Sequence, residues 1–479
     1  MDYDICILGA GPAGYAAAMR AHDLGKRVAL VEASKLGGAG LHSGALSSKT
    51  MWHLANDYRR ACRSGRGFQT TKIDVSYCSV IEAVREAVSE RHQLLSDQLE
   101  RLADSDVTLI RGRGKFVSPH EVCVTTKTGT LSVKASNFLI ATGSTPRLPA
   151  GVDIDGDCIV TSDHIESWTD FPKSMVILGS GVIGCEYATI FGHYGRTKIA
   201  MIDRRDRILP FEDSDVSDCI STSFEKMGVT IHACSQLKSL TSDGKTVRYE
   251  LECEGETKTY EVEKALISIG RVPNIGTLGL EAAGVTTNAR GGIVAQGTQT
   301  EVPHIHAAGD ATMDMALANV AELEGRQAVE AMFTDRSTRI DYRSLSTIMF
   351  LDPEVASVGL GETQAREKGI AYRVASVDNR LISRNIAMRN TQGFIKLLAS
   401  PDNAILGLRV VGPQASSCIQ GIALLIELGG KLEDIATCVH PHPAITEGVQ
   451  ECARLLLGQS ILKPKIVEGV RVDSYPAKS

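Results

Sequence analysis

The sequence predicts an α/β fold, two strand–turn–helix–strand units followed by a C-terminal α+β domain, on three observations. A glycine turn of the form GxGxxG follows an apolar, β-rich run at Gly9 to Gly14 and again at Gly179 to Gly184. Each turn opens a helix-compatible stretch, and a second apolar run then ends in an acid, Glu32 or Asp203. Over about the last 130 residues the pattern becomes shorter apolar runs, DPEVASVG and GFIKLLASPDNAILGLRVVG, and a helical ELGGKLEDIATCV, which read as an antiparallel sheet with helices.

The first unit runs from Asp4 to Leu8 (DICIL) through Gly9, Gly11 and Gly14 into YAAAMRAHDLG, and then to RVALVE. Strand, glycine turn, helix, strand and acid, in that order, make a Rossmann-like dinucleotide-binding unit. The glycines let the backbone approach a pyrophosphate, the helix N-terminus stabilises its charge, and the carboxylate accepts from a ribose hydroxyl. Glu32 follows Gly9 by 23 residues, close to the usual spacing of about 20. The second unit, MVILGSGVIGCEYATIFGHYG, carries Gly179, Gly181 and Gly184, and KIAMID brings Asp203 into place 24 residues after Gly179. One such turn is weak evidence, but two in full βαβ context predict two bound dinucleotides. Three further apolar runs end in glycine-containing turns: NFLIATGSTPR, ALISIGRVPN and VPHIHAAGD.

At 479 residues the chain is too long for one core and should divide into three or four domains, with 43% hydrophobic residues to fill them. A formal charge of -6 gives no basic footprint for nucleic acid. No apolar run approaches the roughly 18 residues of a membrane span, and MDYDICILGAG enters a strand without a charged leader, so a cytoplasmic protein is expected. The 12 cysteines are scattered singly, with no CxxC pair, so neither a metal site nor a disulfide framework is expected.

The assembled order resembles the two-dinucleotide flavoprotein disulfide reductases, the family of dihydrolipoamide dehydrogenase and soluble pyridine nucleotide transhydrogenase, from Tyr3 to about Leu457. The resemblance implies FAD on the first unit, at Gly9, Gly11, Gly14, Glu32 and Gly38. Gly114, Thr142 and Gly143 of ATGSTPR, Asp310 of HIHAAGD and Ala318 would complete that site. It implies NAD(H) on the second unit, at Gly179, Gly181, Gly184, Asp203, Arg204 and Gly270. The implied division is 1–150 for the first part of the FAD domain, 151–270 for NAD(P), 271–343 for a central domain completing the FAD site, and 344–479 for a dimerisation domain. EYATIF and RRDRILPFED are similar to the soluble transhydrogenase in particular. In HPHPAITE, His442 and Glu447 match the family's acid–base dyad, the histidine coming from the partner subunit of a homodimer.

The chain departs from the family at its redox loop. The family pattern GGTCxNxGCxPSK, laid on Gly37 to Lys49, places Gly40 and Ala45 at the two cysteine positions and Ser47 at the proline. Neither glycine nor alanine forms a thiolate, so disulfide exchange by the usual route is chemically unavailable. Lys49 and Glu186, which match the family's ion pair beside the flavin, are retained, so hydride input is expected to persist. His442 and Glu447 are then left either to protonate a different acceptor or to form an interface hydrogen bond. His42 and Ser43 are polar additions to the loop. Asp203 points to NADH, whereas Arg204, Arg205 and Arg207 leave room for NADPH. The expected activity is therefore NAD(P)H oxidation through FAD toward a small non-disulfide acceptor. The alternatives are a non-catalytic nucleotide-binding subunit and a flavoprotein that exchanges electrons with a redox partner protein.

Overall fold

The computed structural model describes residues 2–65, 67, 73–102, 106–253, 255–335 and 340–477. The chain forms two compact units. The first is Met1–Phe171 with Ser242–Lys245 and Lys264–Ile340; the second is Pro172–Thr241 with Thr246–Glu263 and Asp341–Ser479.

In the first unit, strands Val107–Arg111, Val28–Glu32, Tyr3–Leu8 and Gly129–Ile140 lie side by side and parallel, and Ile305–Ala307 pairs with the end of the last. Every residue of VALVE is buried. Such an unbroken apolar run suits a parallel strand covered on both faces. The chain order runs outward from Tyr3–Leu8 to Val107–Arg111 and returns on the other side at Gly129–Ile140, so the order reverses beside the carboxyl end of the first strand. That reversal is where open α/β sheets place a ligand. Helix Pro12–Asp23 starts with Pro12 in its first turn, where the missing N–H is no loss. Its alanine face packs closely on helix Ala318–Phe333. A Cβ on Gly325 of the latter would lie 2.1 Å from the Ala13 carbonyl oxygen.

The second unit repeats the parallel motif in Thr230–His232, Lys198–Ile202 and Ser174–Leu178. It also holds a six-stranded sheet in the order Ser346–Met349, Val355–Gly359, Ile405–Val411, Phe394–Ala399, Tyr372–Asp378, Val470–Tyr475, antiparallel throughout. Helices Ile419–Leu428 and Thr446–Leu456 cover it with Ile419, Ile422, Val449 and Cys452. The stretch ELGGKLEDIATCV makes two helices, because Gly429 ends the first at φ +73° before Leu432–Thr437 begins. The fully buried Lys396, in strand Phe394–Ala399, meets Asp213 at 2.8 Å, Asp215 at 2.7 Å and Glu362 at 3.2 Å. Next to it, Arg409 pairs with Glu212 at 2.8 Å. Burial opposes charge on Asp213, but Lys396 and the amides of Thr363 and Glu362 hold its pKa down at about 2.

Candidate functional site

In the first unit the glycine turn closes over the first strand. Gly9 takes φ +104°, and a Cβ on Gly14 would fall 1.8 Å from the Gly9 oxygen, so both positions require glycine. A Cβ on Gly11 would meet only Gly38 Cα, at 4.0 Å, which leaves the backbone there open to close approach. Glu32 is buried and accepts from the Ala10 amide at 2.7 Å and the Ser34 amide at 2.6 Å. With about four acceptor positions on a carboxylate, two remain for hydroxyl donors. Thr142 follows the strand Gly129–Ile140, and its buried Oγ1 has no hydrogen-bond partner among the described residues. Beside it Gly143 has φ +65° and nothing within 4 Å of a Cβ position. The open glycine cradle, the half-satisfied Glu32 and the orphaned Thr142 hydroxyl suit a dinucleotide with a pyrophosphate and a ribose.

Asp310 lies in the turn Gly309–Ala311 and accepts from Ser144 Oγ at 2.5 Å; Arg271 donates to the same Ser144 oxygen at 2.7 Å. Ser144 and Arg271 belong to STP and RVP, two short strands that pair antiparallel. In the sequence both residues sit inside strand-end motifs, ATGSTPR and ALISIGRVPN, where residue type alone distinguishes neither. Their signal was position: each lies a few residues past a strand end that the first unit brings together. Gly114 packs into the core, where a Cβ would lie 2.8 Å from Leu8. Ala318 is exposed at the first turn of its helix, where the backbone N–H has no intrahelical partner.

The loop Gly37–Lys49 folds as a short helix, Gly38–His42, and the start of helix Leu46–Cys62. At Gly40 the Cβ direction is filled: a side chain there would meet Pro12 Cγ at 2.6 Å. His42 turns its Nε2 to the Leu36 carbonyl at 2.9 Å and packs edge-on against His92 at 5.4 Å; burial pushes its imidazole below the usual pKa. Ser48 donates to the Gly44 carbonyl, and Lys49 Nζ donates to Ser48 at 3.3 Å.

In the second unit Gly179 takes φ +97°, Gly181 has nothing within 4 Å of a Cβ position, and Gly184 is buried in helix Val182–Tyr194. Glu186 on that helix is 4% exposed and accepts from the Phe350 amide at 3.1 Å. Asp203 receives Ser180 N at 3.0 Å, Ser180 Oγ at 2.5 Å, Arg205 N at 3.0 Å, and Arg205 Nε and Nη2 at 3.0 and 3.1 Å. Burial disfavours its charge, but the Arg205 and Ser180 bonds outweigh that and hold the carboxyl well below the usual range. Gly270, in the first unit, has φ +116° and only Arg147 near its Cβ direction, at 3.9 Å. His442, 70% exposed at its side chain, meets Glu447 at 2.8 Å, and Glu447 also accepts from the Ala444 amide at 2.7 Å.

Two Rossmann-like units followed by an antiparallel sheet define a pyridine nucleotide oxidoreductase architecture. The pattern described as Pyridine nucleotide-disulphide oxidoreductase matches residues 3–325, and that family's dimerisation domain matches residues 345–453. The chain belongs to this family and is an FAD-dependent NAD(P)H oxidoreductase. It is 32% identical over 480 residues to a dihydrolipoyl dehydrogenase of Bacillus subtilis, covering 96% of this chain and 99% of the relative. It is 32% identical over 460 residues to leghemoglobin reductase of Glycine max, covering 94% of this chain and 87% of the relative. The crystal structure of LpdA from Mycobacterium tuberculosis superposes with a TM-score of 0.88 at 27% identity, over 95% of this chain and 99% of that one. Among the described residues no helix is long and apolar enough to cross a membrane.

Proposed function

We propose that this chain oxidises NAD(P)H and delivers the electrons to a non-disulfide acceptor, a quinone, dye, oxygen, second nicotinamide nucleotide or redox protein, with no protein thiol between. The observation that carries this reading is the loop at Gly40, where Pro12 fills the direction of a side chain. Other thiols are poor substitutes. Cys62 ends a 17-residue helix that starts beside the loop, which puts it about 24 Å away at 1.5 Å per residue. Burial pushes the Cys6 thiol up to about 12, so it stays protonated. One relative is named for reducing leghemoglobin, an acceptor that is not a small disulfide.

When bound, FAD supplies two-electron chemistry between the nicotinamide and the oxidant. The chain's residues bind and orient. Gly9, Gly11 and Gly14 admit the FAD pyrophosphate, and Glu32 and Thr142 take ribose and neighbouring hydroxyls. Asp310, with its carboxylate set by Ser144 and Arg271, serves the ribityl side. Gly38, Gly114, Gly143 and Ala318 line the same site, while Gly179, Gly181, Gly184 and Gly270 serve NAD(P). Lys49, bonded to Ser48, serves the flavin in the first unit, and Glu186, bonded to the Phe350 amide, serves the nicotinamide in the second. The dimerisation domain supports a homodimer, in which the exposed His442, oriented by Glu447, is presented outward to a partner subunit.

The test is an anaerobic titration of the FAD-loaded protein with NADH, following the flavin spectrum. Full bleaching with about two electrons per FAD, and no thiolate-to-flavin charge-transfer band, is expected. Uptake of about four electrons overturns the thiol-free reading, and absence of bleaching both with NADH and, in a separate titration, with NADPH overturns catalysis altogether.

A further inference from the structure

Helix Val182–Tyr194 carries a second buried polar side chain on the turns beyond Glu186. His193 lies two turns further along, about 10 Å away at 1.5 Å per residue. Its side chain is fully buried, and its Nε2 meets Asp352 Oδ2 at 3.5 Å. Asp352 belongs to the short segment that joins strands Ser346–Met349 and Val355–Gly359. The same segment supplies the Phe350 amide, which donates to Glu186 Oε1 at 3.1 Å. One stretch of chain thus meets the helix at both residues.

Other contacts tie this segment to the rest of the second unit. Ser223 Oγ, on helix Ser214–Lys226, donates to the Asp352 carbonyl at 2.5 Å. Beyond Pro353, Glu354 accepts the Gly412 amide on its carbonyl at 2.8 Å and the Ser416 amide on its carboxylate at 3.1 Å. Met349 and Leu351, on either side of Phe350, are buried. These contacts hold the segment to helix Ser214–Lys226 and to the C-terminal sheet, whereas the Asp352 contact with His193 holds it to the helix that carries Glu186. A carboxylate largely removed from water is stabilised by the imidazole beside it, so parting the two is costly.

We infer that His193 and Asp352 are positioning residues for Glu186: their contact fixes the segment against the helix, and the Phe350 amide so fixed sets one oxygen of the Glu186 carboxylate. This rests on reading Glu186 as serving the nicotinamide. A donor held in place confines the direction of the oxygen that accepts from it. Misplacement of a reacting group by about 1 Å can cost about 100-fold in rate. Nucleotide affinity lies with the glycine turn at Gly179, Gly181 and Gly184, so loss of the anchor acts on the transfer step and leaves binding almost unchanged.

Two readouts on the FAD-loaded full chain test this. The first is hydrogen exchange resolved to the Phe350 amide, which needs no turnover. Asp352→Ala should speed that exchange by about tenfold or more while strands Ser174–Leu178 and Lys198–Ile202 keep their protection. Asp352→Asn, which keeps the shape and an acceptor oxygen, should restore part of the protection. Should Asp352→Ala fail to fold, His193→Gln opens the same contact from the helix side and should speed Phe350 exchange in the same way. The second readout is anaerobic stopped-flow reduction by NADH. The limiting rate of flavin reduction should fall by about tenfold or more in Asp352→Ala, with the NADH dissociation constant changed by less than about threefold. Asp352→Ala combined with His193→Gln should be no slower than the slower single variant, because both act through one contact. Unchanged Phe350 exchange overturns the inference, as does acceleration spread equally over the two strands. Faster Phe350 exchange with an unchanged limiting rate overturns the link to Glu186. Wild-type flavin that neither NADH nor NADPH bleaches overturns the nicotinamide reading of Glu186 itself, and Phe350 exchange then still decides whether the anchor exists.

Discussion

Gly40 and Pro12 are 28 residues apart in the chain, and the space between them decides what the redox loop can hold. A Cβ at 40 would approach Pro12 Cγ to 2.6 Å, and a proline ring has little freedom to move aside. Ala45 already carries a Cβ. Gly40→Cys should therefore destabilise by about 1–3 kcal/mol through overpacking, while Ala45→Cys changes stability by less than about 0.5 kcal/mol. Thermal melts of the two single variants compare them directly. The double variant Gly40→Cys, Ala45→Cys should keep both new thiols after mild oxidation, read by thiol titration. Full loss of both would show that the loop moves off Pro12 easily. At this scale the sequence was legible where chemistry depends on residue type, since Gly and Ala exclude a thiolate wherever they lie. It was not legible where contacts decide. His42, a polar addition to the loop, is turned to the Leu36 carbonyl and His92, and only packing over 50 residues of separation brings that about.

The elements show the same division. Both βαβ units could be read from glycine spacing and apolar runs, because parallel strands buried on both faces leave a plain pattern. The anchoring of the RRDRILPFED stretch could not, although Lys396 was visible as a lone charge in FIKLLA. Its three carboxylate partners come from Asp213, Asp215 and Glu362, far away in sequence. Lys396→Met should destabilise by about 3–5 kcal/mol at pH 7, because it strands buried carboxylates without a cation. The pH dependence follows from Asp213, whose pKa falls from 3.8 to about 2 on folding. A depressed carboxylate adds stability above its unfolded pKa, and that stability is lost as the pH drops from about 4 toward 2. The wild-type urea midpoint should accordingly fall between pH 5 and pH 3. In Lys396→Met the fall should be smaller, since the carboxylates gain by protonation; an equal or steeper fall would remove Lys396 as the cause.

Across the whole molecule, the second unit is assembled from three chain segments, Pro172–Thr241, Thr246–Glu263 and Asp341–Ser479, and its cohesion lies in contacts that no local pattern encodes. Glu212 and Asp213, the two residues just before helix Ser214–Lys226, reach Arg409 and Lys396, so the start of that helix is tied by buried ion pairs to the strands Phe394–Ala399 and Ile405–Val411 within one unit. Groups linked in this way should open together, because parting them exposes charges whose partners remain buried. Hydrogen exchange on the FAD-loaded protein would read this directly. The amides of the helix and of the two strands should exchange with one common opening free energy, and Arg409→Met should speed both sets by a similar factor. Strands Tyr3–Leu8 and Val28–Glu32, in the first unit, should keep their protection, since none of these ion pairs involves them. Acceleration confined to Phe394–Ala399 and Ile405–Val411, with the helix unmoved, would mean that the ion pairs decorate the contact without coupling its two sides. Joint acceleration would mean that the end of the RRDRILPFED stretch, which carries Glu212 and Asp213, and the helix that follows it take their rigidity from the C-terminal sheet through buried charge pairs.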